Sequence, residues 1–322
     1  MTPGTAAIDT LSPDTLAPDT LAIDIGGTRI RAAVVSPQGQ VLTRAEGPTP
    51  ARAHGDAVVA AIAKVAEQAR QGRPVNAAGV CAPGPLDATR GIAQATPTID
   101  GFRDYPLRDR IEQALHLPTF LDHDGHAAAY GEWLHGAGQG VQTMVYVTIS
   151  TGIGGGAIVD GRLQRGRNGM AGHVGHMTVQ PDGPVCNCGN MGCWEAVAAG
   201  PAFAAAARAA GFADGAATFA AATAADPAAM ALVEAEARWL GLGLVNLIHI
   251  YSPDLVVLGG GVTAGLDLMR PFIADEITRR AMIPFRDTPF VRASLLDNAG
   301  LVGAAALGRL GLDQQTGPRR AE

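Results

Sequence analysis

The stretch Leu21-Ala-Ile-Asp24-Ile-Gly26-Gly27-Thr28-Arg-Ile-Arg31 is a short apolar run that ends in two glycines and a hydroxyl, after which a second apolar run begins. It predicts a strand over Leu21–Ile25, a tight glycine turn and a second strand over Ile30–Val35. Pro37-Gln-Gly39 then marks a further turn before a third strand over Gln40–Thr43. The domain therefore opens as an antiparallel meander. The pattern recurs past mid-chain. Gln142–Ser150 alternates toward Thr151-Gly152-Ile-Gly154-Gly155-Gly156, which is followed by Ala157-Ile-Val and the turn Asp160-Gly161. Two strand–glycine turn–strand units in corresponding positions imply a duplicated α/β domain with its ligand between the halves.

Working outward, apolar spacing predicts helices over Ala57–Arg70, Leu107–Leu115, Gly125–His135, Ala231–His249, Gly265–Ala281 and Leu301–Leu310. Strands are expected at Asn76–Cys81, Thr119–Leu121 and Asp254–Leu258, the last running into Gly259-Gly260-Gly261. The stretch Pro83–Thr98 reads as a loop. Residues 1–20, with Asp-Thr-Leu three times among prolines, read as a disordered tail.

The 322 residues carry a net charge of −6 and are 47% hydrophobic, enough for two domains with their own cores. The acidic balance, with no basic cluster before Arg319-Arg320, argues against a nucleic-acid partner. Lys64 is the sole lysine and lies in Ala-Ile-Ala-Lys, without the Gly-Lys-Ser/Thr of a P-loop, and no protein-kinase catalytic motif follows it. No basic n-region with an apolar h-region opens the chain, and the alanine-rich stretch from Ala196 to Met230 is broken by Gly and Pro. A cytoplasmic protein without membrane partners is expected.

Three groups of residues have the composition of a site. The glycine turns at Gly26–Thr28, Thr151–Gly154 and Gly259–Gly261 sit at strand ends, where backbone N–H groups and the Thr28 and Thr151 hydroxyls can hold phosphate; an ordinary hairpin turn remains open for each. His176, Cys186, Cys188 and Cys193 supply an imidazole and three thiolates, a tetrahedral zinc set with no position left for water. The ion would be structural, ordering a loop that carries His173 and Glu195. In Asp122-His123-Asp124-Gly-His126, the two aspartates share one face if the strand continues. Spacing alone favours Asp124 as a helix cap over a general base.

Together, Asp24-x-Gly-Gly-Thr-x-x-Arg31, Thr151-Gly-Ile-Gly-Gly-Gly156, Gly175-His176 and Cys186-x-Cys-Gly-x-x-Gly-Cys-x-Glu195 resemble the ROK family of sugar kinases and sugar-responsive repressors, from about Leu21 to Leu312. The resemblance implies an actin-like, hexokinase-like fold, a duplicated ribonuclease H-like α/β architecture of two domains with ATP and sugar in the cleft. Its domains would be 21–135 plus 300–315, and 136–299 with the zinc loop 173–195. It implies phosphoryl transfer to a sugar 6-hydroxyl with Asp124 as the catalytic base, reversing the cap preference. Asp24 would help hold Mg²⁺, Gly26, Gly27, Thr28, Thr151, Gly152 and Gly154 would hold the phosphates, and Gly259, Gly260 and Gly261 would lie by the adenosine. Thr98, His123, Asp124, His173, His176 and Glu195 would face the sugar, His176 and the three cysteines would bind zinc, and the family implies a homodimer.

Three of these depart from the commoner family pattern: His123 and Thr98 stand where Asn is usual, and His173 where Glu is usual. His173-Val-Gly-His176 followed by Pro181-Asp-Gly-Pro resembles the bacterial N-acetylmannosamine kinases of the family, with glucokinase as the alternative. Two rivals of another class are a transcriptional repressor and a sugar-binding homologue without catalysis. Only 23 residues precede Asp24, too few for a helix-turn-helix domain, and the retained Asp124 speaks for catalysis.

Overall fold

The computed structural model describes residues 18–316, so most of the expected N-terminal tail lies outside the described residues. The chain divides into two compact units. The first holds the chain up to Gly140, Asp160–Ala171 and the stretch from Asp297; the second holds Val141–Val159 and Gly172–Leu296. The sequence assigns Asp160–Ala171 to the second domain. In the structure the stretch joins the first because Arg165 pairs with Asp122 and the Asn168 carbonyl accepts from the Ala88 N–H.

The first unit is built on a five-strand sheet in the order Val41–Pro48, Arg29–Val35, Thr20–Ile25, Ala78–Ala82, Thr119–His123. The first three strands form the antiparallel meander and the last two add in parallel. The register sets Asp24 beside Cys81 and Cys81 beside Asp122, a row near the C-terminal ends of three parallel strands, where α/β sheets present their ligand sites. The buried central run Leu21–Ile25 explains its continuous apolar character, since both faces are covered.

Helices Gly55–Arg70, Leu107–Leu115, Asp124–His135 and Ala299–Thr316 complete this unit. The last follows from its small residues: a Cβ on Gly303 would lie 1.6 Å from the Ala127 carbonyl oxygen, so the helix backbones touch there. Pro83–Thr98 is not one loop. It contains the short strands Leu86–Asp87 and Ile92–Ala95, which join Arg103–Tyr105 in a small antiparallel sheet, too short to show as periodicity.

The second unit repeats the plan. Ile153–Val159 pairs antiparallel with Met144–Ile149, which continues in parallel to Leu255–Gly259 and then Phe290–Arg292. Its core gathers fully buried Trp194, Val233, Leu244 and Met269. Helix Pro227–Tyr251 starts earlier than its apolar spacing suggests, because Asp226 caps it by accepting from the Ala228 and Ala229 N–H groups and Pro227 suits its first turn. Helices Gly200–Ala209 and Gly215–Thr223 are alanine-rich and were not legible from spacing, although Asp214 caps the second in the same way. Among the described residues no single helix is long and apolar enough to cross a membrane; one bent helix pair, Gly215–Thr223 with Pro227–Tyr251, passes on length and composition.

Glu236 is buried on the long helix with one carboxylate oxygen unpartnered, and burial pushes its carboxyl well above the ordinary 4.5. A raised folded pKa stabilises the fold fully below about pH 4.5, and that contribution is lost as pH rises through the folded value. Glu236→Leu is therefore expected to raise Tm by about 3 °C or more at pH 8 and by less at pH 4.5, measured by thermal denaturation at both. An equal gain at the two pH values would contradict it.

Candidate active site

The strand Thr119–His123 ends at His123, and helix Asp124–His135 begins at once. That change of backbone separates the two aspartates that sequence alternation would put on one face. Asp122 is 5% exposed and points inward, whereas the Asp124 side chain is 47% exposed. Nor is Asp124 the cap: His123 holds that position, its ring Nδ1 accepting from the Gly125 N–H at 3.2 Å. Asp124 is the first helical residue, its Oδ1 taking the same N–H at 2.7 Å, so a carboxylate sits at the positive end of the helix.

Asp24 lies in the same unit, buried and paired with Arg31. Burial raises its carboxyl, Arg31 opposes that, and the charge of Asp124 adds to the rise. The Asp24 and Asp124 charges thus oppose each other, with Arg31 the counter-charge to Asp24.

The first glycine turn depends on close approach. Neither Gly26 nor Gly27 takes the left-handed conformation, so the requirement is for space. A Cβ on Gly27 would stand 2.7 Å from the Thr98 Cβ, which brings the turn against the Thr96-Pro97-Thr98 loop. The Gly26 carbonyl accepts from the Thr49 hydroxyl at 2.7 Å, a turn partner that sequence reading missed.

In the second unit, Ser150 donates its N–H to the Gly152 carbonyl at 2.8 Å to close the turn. A Cβ on Gly152 would fall 2.4 Å from Glu195 Oε2, and the same oxygen accepts from the Ile153 N–H at 2.9 Å. Glu195 thus joins the glycine turn to the cysteine loop. Gly260 does need its freedom, with φ +87° and the Ile149 carbonyl 2.3 Å from a built Cβ. Beside it, Thr151, Phe203, Phe219, Gly261 and Val262 line an apolar pocket of about 560 Å³.

One ligand atom each from His176, Cys186, Cys188 and Cys193 lies within 4.8 Å of all the others. Cys186 Sγ is 3.7 Å from His176 Nδ1, and Cys188 Sγ is 3.6 Å from Cys193 Sγ. A tetrahedral zinc with ordinary bond lengths requires edges of about 3.6 Å for N···S and about 3.8 Å for S···S. The donor set fits the ion. Burial pushes the Cys193 thiol up to about 12, while the Asn190 N–H holds Cys188 down. Asn190 Nδ2 also reaches Cys193 Sγ at 3.4 Å, an outer contact hidden in the sequence among glycines. His173 is half-buried, its ring 6.1 Å from that of His176.

The ROK family model matches residues 20–309. This chain belongs to the ROK family. Glucokinase of Streptomyces coelicolor is 35% identical to this ROK chain over 310 residues, 89% of the chain and 96% of that enzyme. N-acetylmannosamine kinase of Shigella boydii is 36% identical over 293 residues, 88% of the chain and 96% of that enzyme. The crystal structure of a ROK family glucokinase from Streptomyces griseus in complex with glucose and AMPPNP superposes with a TM-score of 0.81, at 35% identity, over 90% of the chain and 99% of the glucokinase. The ROK chain accordingly has the actin-like, hexokinase-like α/β fold that its motifs imply.

Sequence reading missed most around Asp124. In the ROK chain Asp122 is a buried anchor: its Oδ1 accepts from the His123 N–H and from His126 Nδ1, both at 2.8 Å, and its Oδ2 from Arg165 Nε at 2.9 Å. Burial alone would raise its carboxyl, but His126 and Arg165 outweigh that and hold it low. Arg165 is remote in sequence, so no local signal points to it.

Proposed function

We propose that this chain transfers the γ-phosphoryl group of ATP to the 6-hydroxyl of a hexose or N-acetylhexosamine, with N-acetylmannosamine favoured over glucose. Its class, an ATP-dependent sugar kinase, rests on relatives matched over most of their length and of this chain. The observation that carries the mechanism is the half-exposed Asp124 carboxylate near the C-terminal ends of parallel strands, with buried Asp24 close enough to feel its charge.

Asp124 accepts the proton of the 6-hydroxyl as that oxygen attacks the γ-phosphorus in line, and the bond to the ADP oxygen breaks. The Gly26–Thr28 and Thr151–Gly154 turns offer backbone N–H groups and hydroxyls to phosphate oxygens. The pocket beside Gly261 has the size and apolar lining suited to the nucleoside. Asp24 would help hold Mg²⁺, which supplies charge neutralisation on the phosphates when bound. His176, Cys186, Cys188 and Cys193 would hold zinc, whose four positions they fill, so its contribution is order in the loop. With Nδ1 turned to the thiols, His176 keeps Nε2 for a sugar hydroxyl, beside His173 and Glu195. In the first unit, Thr98 and His123 would contribute sugar contacts. A homodimer in the cytoplasm, where ATP is available, completes the proposal.

The sugar preference rests on His173. A carboxylate there accepts from two adjacent hydroxyls, whereas a neutral imidazole offers one donor and one acceptor on a broader apolar ring. Replacing the 2-hydroxyl by an acetamido group then leaves no buried charge without a partner. His173→Glu is expected to shift the kcat/KM ratio toward glucose by about tenfold or more. Phosphorus–proton correlation NMR of the product checks the position of transfer; phosphate on any carbon other than C6 would overturn it, and an unchanged ratio in His173→Glu would overturn the preference.

A further inference from the structure

Arg165 is the one guanidinium that reaches Asp122 among the ion pairs of the described residues, and the reach is long in sequence: Nε to Oδ2 at 2.9 Å across 43 positions. Asp122 spends its other oxygen on the two residues that bracket Asp124, the His123 N–H and the His126 ring. His126 is fully buried, so this side of the first helical turn has no room to reorient. Arg165 is itself held. Its carbonyl accepts from the Ala171 N–H at 2.9 Å, and the loop between them is pinned to Ala88 by the 3.0 Å bond to the Asn168 carbonyl and by the close approach of Gly169. Ala171 stands two residues before His173.

We propose that Arg165 is a positioning residue for phosphoryl transfer, fixing the turn that carries Asp124 by anchoring Asp122. This rests on Asp124 being the base. Arg165 does not take the proton. It keeps the carboxylate that does in line with the attacking hydroxyl, and it ties that turn to the stretch that leads into His173. A misplacement of the base by about 1 Å costs up to about 10²-fold in rate, so a positioning role has a measurable size.

The test is a double-mutant cycle on the purified full chain, with turnover measured for the preferred sugar and melting temperature recorded for each variant. Arg165→Ala is expected to lower kcat by about 10- to 100-fold with KM for ATP little changed, and Arg165→Lys to recover part of that loss. In the Asp124→Asn background, where no base remains to be aligned, Arg165→Ala is expected to change the residual single-turnover rate by less than about twofold. If Asp124→Asn collapses turnover but Arg165→Ala does not, the positioning role is overturned while the base assignment stands. If Arg165→Ala costs the same factor in both backgrounds, Arg165 acts elsewhere. Should Arg165→Ala not fold, Asp122→Asn and Arg165→Lys carry the same cycle, with the same outcomes supporting or overturning the proposal. If Asp124→Asn keeps near-normal turnover, the base assignment fails and takes this proposal with it.

Discussion

Asp124→Asn is expected to lower kcat by about 10²–10⁴-fold while leaving sugar affinity within a few fold. The amide keeps the size of the side chain and its acceptor for the Gly125 N–H, so the helix start survives. What it loses is the negative charge and the ability to take a proton. Because the side chain is half exposed and its ion-pair contact is the His123 ring at 3.3 Å, the loss should appear far more in turnover than in stability. Turnover by ADP release, sugar affinity by calorimetry and Tm by thermal denaturation separate the three. A variant with near-normal kcat would remove Asp124 as the base.

Cys188→Ala should have the next largest effect. Cys188 is exposed, so its thiol contributes little packing. A large response must then come through a shared ion with His176, Cys186 and Cys193. The expected result is loss of zinc, predicted at one ion per chain, with a lower Tm and a raised KM for sugar, since His176 and Glu195 both contact Cys186 of that loop. Elemental analysis of the freshly purified wild type checks the premise; zinc-free protein of full activity would contradict it.

What the sequence disclosed and what it withheld follow from the range of the forces involved. The duplicated plan was legible because each half announces itself locally, with a buried strand, a glycine turn and a returning strand. The clustering of His176 with the three cysteines was legible because three of the four members lie within eight residues. Asp122 could not be told from Asp124 by alternation, because the strand gives way to helix between them and the two carboxylates part. The small sheet Leu86–Tyr105 was invisible for a related reason: strands of two to four residues carry no period. Arg165 was out of reach altogether. Its pairing is a tertiary fact, set by a loop that closes on Ala88, and nothing in Arg165-Gly-Arg-Asn-Gly marks a partner 43 positions away. The glycines of the first turn serve the close approach that their residue type permits, making room for Thr98 and the Arg29 carbonyl without adopting positive φ.

The most direct test of the central claim is ADP release by the purified chain with Mg-ATP, measured in one coupled assay against glucose, mannose, N-acetylglucosamine and N-acetylmannosamine. The account predicts sugar-dependent ADP release with the highest kcat/KM for N-acetylmannosamine, whereas no ADP release above the sugar-free rate with any of the four would contradict it.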